Sequence, residues 1–157
     1  MSRCAKCDGE TRIVVVKTRT YEEAGLPRVH LRDVEVRECV SCGASALRLP
    51  NIEGLHRTIA VAFATRLTSR LFSDEIRFLR KYLGLSREDF ARAIGVTEDE
   101  VNAVETGAER MGLRNEIQLR VMVLTRGPVQ DYKFGVGREP TVRYRKDRSR
   151  WESAAHP

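Results

Sequence analysis

The sequence predicts an α+β protein: a small β module first, then an all-α half. Three observations predict it. Four cysteines stand in two C-x-x-C pairs, all within the first 42 residues. β-branched residues crowd the stretch between the pairs. After Asn51, apolar residues recur at helical spacing between regularly placed Ser, Thr and Gly. The expected organisation is a β module over 1–50, a linker helix over 51–72, a helical domain over 73–137 and a basic tail over 138–157.

At 157 residues, 41% hydrophobic and 32% charged, the chain suits one medium domain or two small ones. The longest apolar stretches (13–16, 59–64 and 121–124) fall far short of the roughly 20 residues a spanning helix needs. Arg3, Cys4, Lys6 and Cys7 stand where a signal peptide would carry an apolar run, so a cytoplasmic protein with no membrane partner is expected. The net charge of +6 is uneven: +4 over residues 1–72, −1 over 73–137 and +3 over 138–157. A basic chain invites a nucleic-acid partner, because cationic side chains displace counterions from phosphates. Here, however, the middle is slightly acidic.

Cys4 and Cys7 are separated from Cys39 and Cys42 by 31 residues, and there is no fifth cysteine. Two residues between thiols let a tight turn aim both at one ion, and Gly9 and Gly43 let the chain turn away. Redox dithiols, an iron–sulfur site and disulfides are the rival uses. Count and spacing favour one tetrahedral Zn2+ per chain. Four thiolates close the coordination shell, so the metal is expected to be structural rather than catalytic. His30, His56 and His156 lie outside any ligand spacing.

Between the cysteine pairs, residues 11–20 read as a strand through Ile13, Val14, Val15 and Val16. Residues 21–27 carry turn residues, and Val29, Leu31, Val34 and Val36 mark a second stretch. Its alternation slips between Leu31 and Val34, which predicts a bulge or two short strands. Strands pinned by one zinc make a ribbon-like module, too small to fold without the metal.

Past Pro50, the residues Ile52, Leu55, Ile59, Phe63 and Leu67 predict an amphipathic linker helix. Ser73 then reads as the cap of a helix carrying Ile76, Leu79, Tyr82 and Leu83. Ser86 opens the next, with Phe90 and Ile94, and Gly95 ends it. Thr97-Glu98-Asp99-Glu100 is a capping box before Val101 and Val104, with Gly107 past the end. Leu113, Ile117, Val121 and Leu124 mark a last helix, stopping before Gly127-Pro128. Four short helices with brief connections predict a helix-turn-helix domain.

The phrase Gly84-Leu85-Ser86-Arg87-Glu88-Asp89-Phe90-Ala91-Arg92-Ala93-Ile94-Gly95-Val96-Thr97, with Glu105-Thr106-Gly107 further on, resembles the helix-turn-helix of the XRE/Cro family over about residues 73–126. Joined to the cysteine ribbon, the order resembles the MqsA-type antitoxins (a YgiT-type zinc finger plus helix-turn-helix). That resemblance implies a DNA-binding repressor, acting as the antitoxin of a type II toxin–antitoxin pair. It would neutralise a small ribonuclease toxin, form a homodimer through its helix-turn-helix half and autorepress its operon at a palindromic double-stranded operator.

By position before Glu105-Thr106-Gly107, the Asn and Arg with which that family reads DNA fall on Asp99 and Ala103 here. The helix has four acids and no cation, which repels phosphates, although a carboxylate can accept from cytosine N4. Thr97 and Asn102 remain as base readers, with Arg87, Arg110 and Arg114 as phosphate contacts. Arg138, Arg143, Arg145, Lys146, Arg148 and Arg150 interleave with Tyr144 and Trp151 in the tail, which reads as a solvated end or a basic arm. No Ser/His/Asp or Cys/His arrangement and no phosphate loop is present, so no enzyme is expected. The alternatives are a stand-alone zinc-containing XRE-family regulator and an interaction protein whose helix-turn-helix no longer reads DNA.

Overall fold

The computed structural model describes residues 2–126, together with strands at Thr141–Arg145 and Arg150–Ala154. The architecture is α+β. Strands β1 (Thr11–Tyr21), β2 (Leu26–Cys39) and β3 (Ser45–Arg48) form a three-stranded antiparallel sheet. Five helices follow: α1 (Ile52–Thr65), α2 (Ser73–Tyr82), α3 (Arg87–Ile94), α4 (Glu98–Thr106) and α5 (Leu113–Thr125). Strand β4 (Thr141–Arg145) then adds in parallel to β2 at His30–Arg32, and β5 (Arg150–Ala154) pairs with β4. The sequence read this region only as a basic tail and missed both strands. Arg138, Lys146, Arg148 and His156, with Gly127 and Pro128, lie outside the described residues.

The turn between β1 and β2 is shorter than its polar residues suggest. Tyr21 still belongs to β1, Leu26 already opens β2, and one 3-10 turn, Glu22–Ala24, joins them. The expected bulge near Leu31 is absent. Pairing runs in unbroken register from Thr11 opposite Cys39 to Thr20 opposite His30, and shifts only at Tyr21. The slip in alternation has another cause. Asp33 takes a left-handed φ of 52°, and the buried side of β2 changes there from Leu31 to Val34. β2 therefore stays one strand while exchanging faces.

One continuous cluster of buried apolar side chains runs from Tyr21, Leu26, Val29, Leu31 and Val34 to Leu55, Ile59 and Phe63 of α1, and on to Leu79, Phe90, Val101 and Leu119. The turn end of the β1–β2 hairpin is thus packed on helices, whereas the cysteine end projects from them. The linker helix is shorter than expected. It stops at Thr65, leaving Leu67 exposed in the connection to α2. That connection is held from α5: the Arg120 guanidinium donates to the carbonyls of Phe63, Arg66 and Ser69 at 2.7, 2.6 and 3.0 Å. Its partner Glu116 accepts the Leu71 N–H at 3.2 Å.

Two of the three predicted caps are present. Ser86 accepts the Asp89 N–H at 3.0 Å, and Thr97 accepts that of Glu100 at 3.2 Å. At α2 the expected cap, Ser73, is instead the first helical residue, and Glu75 reaches back to the Phe72 N–H at 3.0 Å. Helix α5 stands where the sequence placed it, but the residues that mark it face outward. Leu113, Ile117, Val121 and Leu124 are 58, 52, 52 and 39% exposed, while Glu116, Leu119, Arg120 and Val123 face the core. The apolar stripe legible in the sequence is the outer face, because the inner face carries a buried ion pair.

Candidate functional site

The four cysteines come together at the free end of the sheet. Cys4 and Cys7 lie in the loop before β1, Cys39 ends β2, and Cys42 follows in the turn to β3. Their sulfurs all lie within 4.8 Å of one another. Cys4 Sγ is 3.7 Å from Cys42 Sγ, and Cys7 Sγ is 3.5 Å from Cys39 Sγ. A tetrahedron with bonds of about 2.3 Å places thiolates about 3.8 Å apart. The cluster fits that spacing, and its all-sulfur donor set suits a soft metal ion. All four cysteines are free thiols.

Two matching turns build the cluster. The Asp8 N–H donates to Cys4 O at 2.9 Å, as Gly43 N–H does to Cys39 O at 3.0 Å. Cys4 N–H reaches Gly9 O at 2.9 Å, as Cys39 N–H reaches Ala44 O at 2.8 Å. The residue after each second cysteine takes positive φ: 56° at Asp8 and 69° at Gly43. In the first turn the left-handed residue is therefore Asp8, not the expected Gly9. Gly9 serves by its size, since a Cβ there would lie 2.7 Å from Ser41 Oγ and 3.2 Å from Cys7 Sγ.

The backbone also prepares the thiols unequally. The Cys42 and Ser41 N–H groups, against some burial, bring the Cys39 thiol down to about 6. The Lys6 N–H, 3.4 Å from Cys4 Sγ, lowers Cys4. The Gly9 N–H pulls Cys7 down as well, but the neighbouring thiols outweigh it and push Cys7 up to about 12. Cys39 is buried and Cys7 and Cys42 are exposed, so the cluster opens to solvent on one side.

The residues expected to touch DNA lie around α4, and the structure sorts them. Asp99 and Asn102 are exposed on α4, Ala103 is half-buried, and Arg110 and Arg114 are exposed beyond it. Thr97 is committed to its cap, because its hydroxyl also donates to Glu100 Oε2 at 2.9 Å. Arg87 was expected on phosphate, but its Nε donates to Glu105 Oε2 at 3.1 Å. Glu105 itself is fully buried and bridges Arg87 to Arg80, whose Nη2 lies 3.1 Å away. The sequence singled out Glu105 only as part of a motif, since nothing in its spacing announces two arginine partners.

Among the described residues, no helix is long and apolar enough to cross a membrane. Compared with known proteins, the chain matches no family model, no curated protein sequence and no solved structure.

Proposed function

We propose that this protein is a zinc-stabilised DNA-binding repressor, acting as the antitoxin of a toxin–antitoxin pair. The observation that carries the reading is the α3–α4 unit. The two helices are joined by only Gly95, Val96 and Thr97, with Gly95 left-handed at φ 73°. Val101, Val104 and Glu105 fix one side of α4 in the core, leaving Asp99 and Asn102 outward. Such a presented helix suits a major groove. One Zn2+ on Cys4, Cys7, Cys39 and Cys42 would crosslink the loop before β1 to the end of β2.

The outer stripe of α5 supports a homodimer. Four apolar residues spaced 4, 4 and 3 apart make a self-complementary seam, which a second copy covers by two-fold symmetry. To read a palindromic operator, such a dimer must set its two α4 helices about 34 Å apart, one turn of the duplex. The toxin, a small ribonuclease, is assigned to the sheet half, where edge strand β1 leaves Ile13 and Val15 exposed.

Fluorescence anisotropy on the protein's own promoter and on random duplex tests the DNA reading. The promoter should win, and Asn102→Ala should blur the preference by about 1–3 kcal/mol at the base pair it reads. Ile117→Lys should give a folded monomer in sedimentation and weaken operator binding. Equal affinity for both duplexes at low salt would overturn the DNA reading. The second reading, an interaction protein that keeps the helices without the DNA, is favoured by the acids Glu98, Asp99 and Glu100 in the first turn of α4.

A further inference from the structure

A cavity of about 650 Å³ opens between the start of α1, the end of α2 and the end of α5. Arg57, Lys81 and Arg126 line it with His56, Tyr82 and a single carboxylate, Glu53. Cations of the helical half fall into two groups. Arg66, Arg70, Arg80, Arg87, Arg92 and Arg120 each hold a carboxylate. Arg77, Arg110 and Arg114 make no ion pair with any carboxylate among the described residues, and neither do Arg57, Lys81 and Arg126. Arg126 lies over the Tyr82 ring instead, 4.9 Å from its centroid.

Two flat rings, His56 and Tyr82, line the cavity, and His56 is anchored from behind. His56 Nε2 is 2.9 Å from the Tyr21 hydroxyl, and its ring meets the edge of Phe78. Burial holds His56 below its usual range, so it adds surface rather than charge at neutral pH. A second cavity of about 380 Å³ shares His56, Lys81 and Tyr82 and extends the space beneath the β1–β2 turn. Cations without carboxylate partners and flat rings in the same lining match a ligand with an anionic end and a planar body. The volume is that of a small-molecule site.

We propose that this cavity binds the phosphate of a nucleotide, with Arg57, Lys81 and Arg126 on the anion and Tyr82 and His56 against the ring. The phosphate can come from a free nucleotide or from a nucleic-acid strand, and the two sources are separable. Calorimetry on the full-length protein with AMP, ADP and inorganic phosphate at low salt examines the first. Anisotropy with a 5′-phosphorylated single-stranded oligonucleotide and a promoter duplex examines the second.

Arg57→Ala and Lys81→Ala change exposed side chains, and Arg92→Ala on the surface of α3 is the control. If the ligand is a free nucleotide, ADP binds, and each cavity variant weakens it about tenfold while Arg92→Ala does not. If the source is a strand, the mononucleotides do not bind. Each cavity variant then lowers oligonucleotide or duplex affinity and shallows the slope of log K against log salt by roughly 0.7 to 0.9. Binding of every probe unchanged in both cavity variants, or no binding of any probe, would overturn the proposal.

Discussion

Around Cys39 the chain is held by four thiols, two matching turns and few apolar neighbours. Around Glu105 it is held by carboxylates buried among arginines inside an apolar core. The two ends draw on different chemistry: the cysteine cluster has a donor set that could hold a metal ion, and the helical half has ion pairs already closed within the chain. The difference teaches where each end is vulnerable. On the proposed zinc reading, chelation should free the first and leave the second intact. Neutralising a buried carboxylate does the reverse.

The largest expected effect is at the cysteines. Structural zinc carries about 10–16 kcal/mol of apparent binding free energy in small metal modules, so Cys39→Ser should abolish stoichiometric metal binding. Native mass spectrometry should find one zinc per wild-type chain and none in the variant. Next comes Glu105→Ala. It leaves Arg80 buried without its carboxylate and should cost about 3–5 kcal/mol, read from urea midpoints. The metal content should stay at one per chain.

Acid sharpens the contrast. Burial pushes the Glu105 carboxyl up, but hydrogen bonds from Arg80 and Arg87 outweigh it and hold it low. Burial likewise opposes Arg120 and Arg70 at Glu116, which also ends below the usual carboxylate range. Such acids add stability above their unfolded value of about 4.3, and lose it as pH falls towards their folded values. With chelator present throughout, the urea midpoint should therefore drop below about pH 4 in wild type and drop less steeply in Glu105→Gln. The smallest effect should be Arg92→Ala. Its pairs with Glu88 and Asp89 are solvent-exposed, and melting temperatures should register a loss within about 0.5 kcal/mol.

How much of this was legible in the sequence follows from the range of each signal. The two C-x-x-C pairs, the Ser86 cap and the Thr97–Glu100 box are local patterns, and each stands where spacing placed it. Partners distant in sequence were not legible. Nothing near Arg87 reveals Glu105, and nothing near Arg120 reveals the carbonyls of Phe63 and Ser69. Helix α5 shows the consequence. Apolar periodicity placed the helix but not its facing: Glu116 and Arg120 satisfy one another inside, and Ile117 and Val121 lie outward. At Asp33 the broken alternation was legible. Its cause was not, because a left-handed residue and a bulge leave the same trace in sequence.

Hydrogen–deuterium exchange on the full-length protein, with zinc and after chelation, tests the two-ended account most directly. Chelation should strip protection from residues 3–10, from the Cys39 end of β2 and from β3. The amides of α2 to α5 and the Tyr21–Val34 part of the sheet should keep theirs. Equal loss of protection across both ends would contradict it, showing that metal and ion pairs hold a single cooperative unit.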